Sequence, residues 1–132
     1  MTLQIQQETH FNLDEILALY QASGINRPID DRERMAIMLA SSNLLLTARL
    51  DGKLVGLARC LTDRAYVVYI CDLLVDKASQ QQGIGKALLA AVQQATGPQV
   101  QQLLRSAPSA MQYYPKVGFS AIDNAFHIQR QY

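Results

Sequence analysis

Scarcity sets the first limits on this chain of 132 residues. It has two cysteines, Cys60 and Cys71, too few and too isolated for a disulfide framework or a CxxC metal site. Both sit in apolar, strand-like runs, which favours reduced, buried thiols and a cytoplasmic location. Its two histidines, His10 and His127, lack partners at ligand spacing, so no metal is expected. Net charge is +1 with no long basic run, so the footprint of a nucleic-acid binder is missing. No apolar run is long enough to span a membrane. The polar, Gln-rich stretch from Met1 to Thr9 lacks the basic and apolar regions of a signal peptide. Internal repeats, low-complexity tracts and linkers are also missing.

What is present fits one folded domain. A hydrophobic fraction of 49% with 17% charge allows a core without staples. Leu3–Gln6 alternates as a short strand. Asn12 or Asp14 caps a helix carrying Ile16, Leu17, Leu19 and Tyr20, which Ser23-Gly24 ends. Pro28 with Asp30 and Asp31 starts a second helix, with Met35, Met38 and Leu39 facing inward. Two strand-like runs, 44–50 and 53–58, flank Asp51-Gly52, the signature of a type I′ hairpin.

Tyr66–Val75 is nearly all apolar and reads as a central strand buried on both faces. Ile84, Leu88, Leu89 and Val92 form the apolar stripe of the next helix, which Gly97-Pro98 stops. Val100–Leu104 reads as a strand and Pro108–Tyr114 as a short helix closed by Gly118. Phe119–Ile122 and Ala125–Gln129 read as terminal strands. The order is that of an α/β chain with a mixed sheet.

The richest segment joins the central strand to the following helix: Val75-Asp-Lys-Ala-Ser-Gln80-Gln81-Gln82-Gly83-Ile84-Gly85-Lys86. Glycines at such a junction let backbone N–H groups approach a ligand, and a helix N-terminus adds unpaired donors, so the loop suits a phosphate or pyrophosphate. It is not a dinucleotide fingerprint, because Leu88 stands where Gly or Ala is required and no acidic residue follows at the right distance. Nor is it a Walker loop, because Ala87 follows Gly85-Lys86 and the upstream glycine is missing.

Gln80-x-x-Gly83-x-Gly85 follows Leu73-x-Val75 and is joined downstream by Tyr113-Tyr114-Pro-Lys-Val-Gly118-Phe119. This pairing resembles the GNAT superfamily of acyl-CoA-dependent N-acetyltransferases. The resemblance implies a GNAT-like fold over residues 1–132, with a central mixed β-sheet flanked by helices. It implies acetyl-CoA as co-substrate and an amine-containing acceptor. Leu73, Leu74 and Val75 would hold the pantetheine arm. The N–H groups of Gln80, Gln81, Gln82, Gly83, Ile84, Gly85 and Lys86 would cradle the pyrophosphate. The family's central strand carries a bulge and splays from the next one, opening a cleft for the thioester. A homodimer through the terminal strands accords with the resemblance.

By the same resemblance Tyr114 is the general acid toward the departing CoA thiolate and touches the cofactor, whereas Tyr113 belongs to the core. A phenol near pKa 10 is protonated at neutral pH, which suits that role. Pro115 departs from the usual polar residue and is expected to kink or end the helix. Ala107 stands where many relatives carry asparagine, and Gln80 where arginine is commoner.

A general base is not evident. Relatives place one on the strand at positions occupied here by Leu73, Cys71 and Tyr69. Asp72 is the one charge in the run Tyr66–Leu74. Strand alternation sets it with Ile70 and Leu74, opposite Tyr69 and Cys71, although a bulge would shift that parity. Asp72 is therefore either an acceptor-recognising or proton-accepting catalytic residue, or an anchor for a cation such as Arg64 or Arg105. Deprotonation through ordered water needs neither. Arg27, Asp30 and Asp31 lie where the family builds part of its acceptor pocket. A Cys71 acyl-enzyme lacks a histidine partner in the sequence. The contrasting reading is a non-catalytic acyl-CoA-binding regulatory module.

Overall fold

Short-range chemistry starts the helices where the sequence places its polar caps. Asn12 Oδ1 accepts the Glu15 N–H at 3.1 Å and opens α1 (Leu13–Ser23), which Gly24 closes in the left-handed conformation. Asp31 Oδ1 accepts the Arg34 N–H at 3.1 Å and opens α2 (Arg32–Ser41). Pro28 lies outside α2, in a turn whose carbonyl accepts the Asp31 N–H. The computed structural model describes residues 2–132.

β1 (Leu3–Gln7), β2 (Leu44–Leu50), β3 (Lys53–Thr62), β4 (Val67–Val75) and β5 (Gln101–Leu104) form one sheet in the order β1-β2-β3-β4-β5. The first four strands are antiparallel neighbours, and β5 joins β4 in parallel. Asp51 and Gly52 both take positive φ, 50° and 87°, as the type I′ turn between β2 and β3 requires. α3 (Ile84–Thr96) crosses back from β4 to β5, and α4 (Tyr113–Lys116) follows β5.

Helices cover both faces of this mixed sheet. On one face Ile84, Leu88, Leu89 and Val92 of α3 pack on Leu46, Ala48, Ala58, Cys60, Val68 and Ile70. Each Leu, Ile or Val side chain among them contributes about 1.5–3 kcal/mol on full burial. On the other face Ile16, Leu19 and Tyr20 of α1 and Met35 and Leu39 of α2 meet Leu45, Leu57 and Leu74. Among the described residues no helix is long and apolar enough to cross a membrane.

Three expectations need correction. β4 is not covered throughout on both faces, because Tyr69 is exposed on it. Pro115 does not break its helix. It occupies the first turn of α4, where no intrahelical acceptor awaits its missing N–H. The terminal strands at Phe119–Ile122 and Ala125–Gln129 do not form, and Ser120–Tyr132 is exposed throughout without regular structure. A strand is made by pairing, and among the described residues this segment makes no hydrogen bond to another part of the chain.

Candidate active site

β4 organises the site through two irregularities. Its pairing with β5 covers Val67–Ile70 against Gln101–Leu104 and then stops, so Cys71–Val75 runs on with its β5-side edge free. The parallel ladder therefore ends at Ile70 and Leu104, where β5 itself ends. Against β3, Arg59 pairs with Asp72 but Cys60 pairs with Ile70, which leaves Cys71 as the extra residue of a β-bulge.

The bulge reverses the side-chain parity. Ile70 packs in the α3 core, whereas Leu74 packs in the α1–α2 core, and Asp72 reaches Tyr20 of α1. Regular alternation, which places Ile70 and Asp72 on one face, is overturned here. Downstream, Leu73 and Val75 pack with the α3 cluster.

The loop after β4 is shaped by local bonds. Asp76 caps a 3₁₀ turn at Lys77–Ser79 by accepting the Ala78 N–H at 2.9 Å. Gln80 Nε2 donates to the Val75 carbonyl at 3.2 Å, so this side chain braces the loop against the strand. Gln81 and Gly83 then take left-handed backbone angles, φ 66° and 78°. For Gln81 that conformation costs roughly 1–2 kcal/mol.

The result is a run of donors without acceptors. Among the described residues, the N–H groups of 81–86 find no protein acceptor, and the first helical bond of α3 runs from Ala87 N to Gly83 O at 3.0 Å. Gly83 caps α3 without a side-chain bond. Consecutive free N–H groups at a helix N-terminus form a concave anion site. Gly85 has a separate reason to lack a side chain, since a Cβ there would stand 2.8 Å from Tyr113 Oη.

Tyr113 thus lies against the start of α3, and the Tyr114 ring stacks edge-on between Tyr113 and Phe119, with centroids 5.3 and 5.7 Å apart. The Phe119 N–H closes the α4 turn onto the Tyr114 carbonyl at 3.0 Å. Burial, and then the neighbouring Tyr113, push the Tyr114 phenol above its ordinary pKa. Its hydroxyl has no protein partner among the described residues.

Asp72 is fully engaged. Its Oδ1 accepts from Arg27 Nε at 2.6 Å, and its Oδ2 accepts from Arg59 Nε at 2.7 Å and Tyr20 Oη at 2.6 Å. Arg27 Nη2 also donates to the Cys71 carbonyl at 3.2 Å, tying the α1–α2 loop to the bulge. Burial alone would raise the Asp72 pKa. Hydrogen bonds from Arg59 and Tyr20, with the charges of Arg59 and Arg27, outweigh it and hold the carboxyl below its ordinary value. Burial, then the Asp72 charge, drives the Tyr20 phenol far up.

The partners expected for Asp72 are corrected accordingly. Arg64 bonds the Asn43 carbonyl and Arg105 is exposed. Arg59 and Tyr20 escaped sequence reading: counting the β3–β4 register outward from the turn sets Arg59 opposite Cys71, and only the bulge brings it opposite Asp72. Burial raises the Cys71 thiol above its usual pKa, so it is not poised as a thiolate. Asp30 and Asp31 stay outside the Asp72 cluster, and Asp31 serves as the α2 cap. His127 is exposed in the segment after α4. Among the described residues no group of three or more His, Cys, Asp or Glu could hold a metal.

Comparison with known proteins agrees with this geometry. The family model "Acetyltransferase (GNAT) domain" matches residues 16–129, and the chain belongs to that family. A GNAT-family acetyltransferase from Streptococcus pneumoniae TIGR4 superposes with a TM-score of 0.76 at 26% identity, covering 98% of this chain and 100% of that one. A probable acetyltransferase from methicillin-resistant Staphylococcus aureus gives 0.80 at 20% identity, with coverages of 99% and 100%. Aminoglycoside N-acetyltransferase AAC(6')-Iy, solved in complex with CoA, gives 0.74 at 19% identity, with coverages of 98% and 95%. No curated protein matches.

Proposed function

We propose that residues 1–132 act as a single N-acetyltransferase domain that moves an acetyl group from acetyl-CoA to a primary amine of a small molecule or peptide. The observation that carries this reading is the run of acceptor-free N–H groups at 81–86, set beside the stretch of β4 that continues past the end of its pairing with β5. These donors suit a pyrophosphate, and the free edge at Leu73–Val75 suits the amides of a pantetheine arm. The same fold in an N-acetyltransferase solved with CoA supports the choice of donor. The free thiols Cys60 and Cys71 accord with work in the cytoplasm.

Acetyl-CoA supplies the activated acyl group as a thioester. On this reading the chain contributes position and polarity. Backbone N–H groups of the free β4 edge stabilise charge on the carbonyl oxygen as the amine nitrogen bonds to the acetyl carbon. The C–S bond breaks, and Tyr114 gives its proton to the thiolate sulfur. The amine loses its proton to ordered water, with Tyr69 lining that side of β4.

Asp72 takes a positioning role in this scheme. Its lone pairs are committed to Arg27, Arg59 and Tyr20, so it holds the α1–α2 loop on the bulge and does not accept the amine proton. That lack of a free side-chain base is also what favours the second reading, a non-catalytic acyl-CoA-binding regulatory module. Thiol release from acetyl-CoA with a panel of amines separates them. An enzyme gives amine-dependent release, and a binding module gives saturable CoA binding without it.

A further inference from the structure

One part of the sheet stays uncovered on the face that α1 and α2 otherwise close. Leu61 of β3 and Tyr69 of β4 pair directly there, and they remain 44% and 37% exposed. Leu57, four residues before Leu61 on the same strand, lies in the α1–α2 core, which fixes the face. Leu103 of β5 pairs with Tyr69 on its other side and is half-buried. Paired residues present their side chains to one face, so the three make an apolar shelf beside the β4 bulge.

The shelf adjoins a cluster that is not neutral. Arg27 and Arg59 share the single carboxylate of Asp72, so two guanidiniums and one carboxylate leave one positive charge uncompensated. The Asp72 side chain is fully covered while that of Arg27 is 31% exposed, so a ligand meets the cationic side. Arg27 Nη1 donates once, to the Asn26 carbonyl at 2.7 Å, and has a second N–H to give. Arg105, exposed just past the end of β5, adds to the same sign. Nearby acids do not offset it. Asp63 Oδ1 accepts the N–H groups of Ala65, Tyr66 and Val67, and Asp31 caps α2. Asp30 is exposed on the loop after α1, where solvent and salt screen it.

We infer that the acceptor is a free amino acid with an apolar or aromatic side chain, its carboxylate drawn to Arg27 and its side chain laid on Leu61 and Tyr69. This rests on the N-acetyltransferase reading and narrows its acceptor. A carboxylate next to the amine complements the cationic cluster, whereas a polycation is repelled by it. The same positive charge disfavours the ammonium form of a bound amine and so favours the free amine that attacks the thioester. That offsets the lack of a side-chain base.

Calorimetric titration of the CoA-saturated chain with phenylalanine, phenylalaninamide, glycine and spermidine tests this. Phenylalanine should bind about tenfold more tightly than the amide, which lacks the carboxylate, and than glycine, which lacks the apolar group. Spermidine should not saturate. Arg27→Gln should erase the advantage over the amide, and Arg27→Lys should keep part of it. Leu61→Asp, at an exposed position, should reverse that advantage, and it decides even if the Arg27 variants fail to fold. Thiol release from acetyl-CoA, run alongside, reports on the transferase reading separately. The expected binding order without release would overturn transfer and uphold the ligand class. A preference for spermidine or the amide, no amine binding at all, or a ranking that Leu61→Asp leaves unmoved would each overturn the inference.

Discussion

Arg59 and Asp72 face each other directly across β3 and β4, and Arg59 Nε donates to Asp72 Oδ2 at 2.7 Å. The pair sits at the position where the β4 bulge changes side-chain parity. Arg27 and Tyr20 complete the cluster from the α1 side. It follows that Asp72 ties together β3, β4, α1 and the loop after α1.

Removing Asp72 should therefore cost stability before it affects chemistry. Asp72→Ala leaves two guanidiniums partly buried without a counter-ion, and should lower the unfolding free energy by about 3–5 kcal/mol. Urea denaturation measures this directly. Asp72→Asn should also flatten the acid limb of the stability curve. The folded carboxyl titrates below its ordinary 3.8, so its contribution is fully present above that value and is lost as pH falls through the lower folded one.

Gly85 and Tyr113 should behave as a coupled pair. Gly85→Ala drives a Cβ to 2.8 Å from the Tyr113 hydroxyl, and should weaken CoA binding while costing about 1–3 kcal/mol of stability. Tyr113→Phe removes that oxygen and leaves the ring carbon behind it 3.6 Å away, an ordinary contact. The double variant should thus recover most of both losses. Calorimetric titration with CoA, alongside thermal unfolding, would show independent losses if the contact is not the cause.

Gly83 acts through its backbone. Alanine there meets no neighbour, but it must hold φ 78°, at a cost of about 1–2 kcal/mol. Its effect should appear as weaker CoA affinity from a disordered cradle. Replacing Tyr113 should not rescue it.

Tyr114→Phe should lower kcat by about 100-fold with little change in CoA affinity. In the wild type, kcat should rise as the acceptor amine deprotonates and show no decline below pH 10, because burial holds the phenol above its ordinary value of 10.0. A wild-type decline well below that value, or a variant of undiminished rate, would remove Tyr114 from the chemistry.

Features legible in the sequence are those decided by near neighbours. The Asn12 cap, the Asp51-Gly52 turn and the loop through Gly83 depend on residues a few positions away, and each lies where its side chains place it. The Asp72 partners were less legible, because they depend on a register that a single bulged residue shifts. Cys71 carries no signature of a bulge, so strict alternation misplaced Ile70 relative to Asp72. The stretch 119–129 has the residues of strands, but it pairs with no strand among the described residues, and local pattern does not encode pairing. For the catalytic base, the sequence offered Asp72 as a lone charge. The fold supplied three partners from distant segments, which left it no free lone pair.

Acetyl-CoA carrying an isotopic label in its acetyl group, incubated with the chain and a panel of amines and read by mass spectrometry, tests the central claim most directly. The expected result is label on an amine nitrogen, unmodified protein, and a rate that collapses with Tyr114→Phe. Saturable CoA binding with every amine left unlabelled, or label resting on Cys71, would contradict direct transfer.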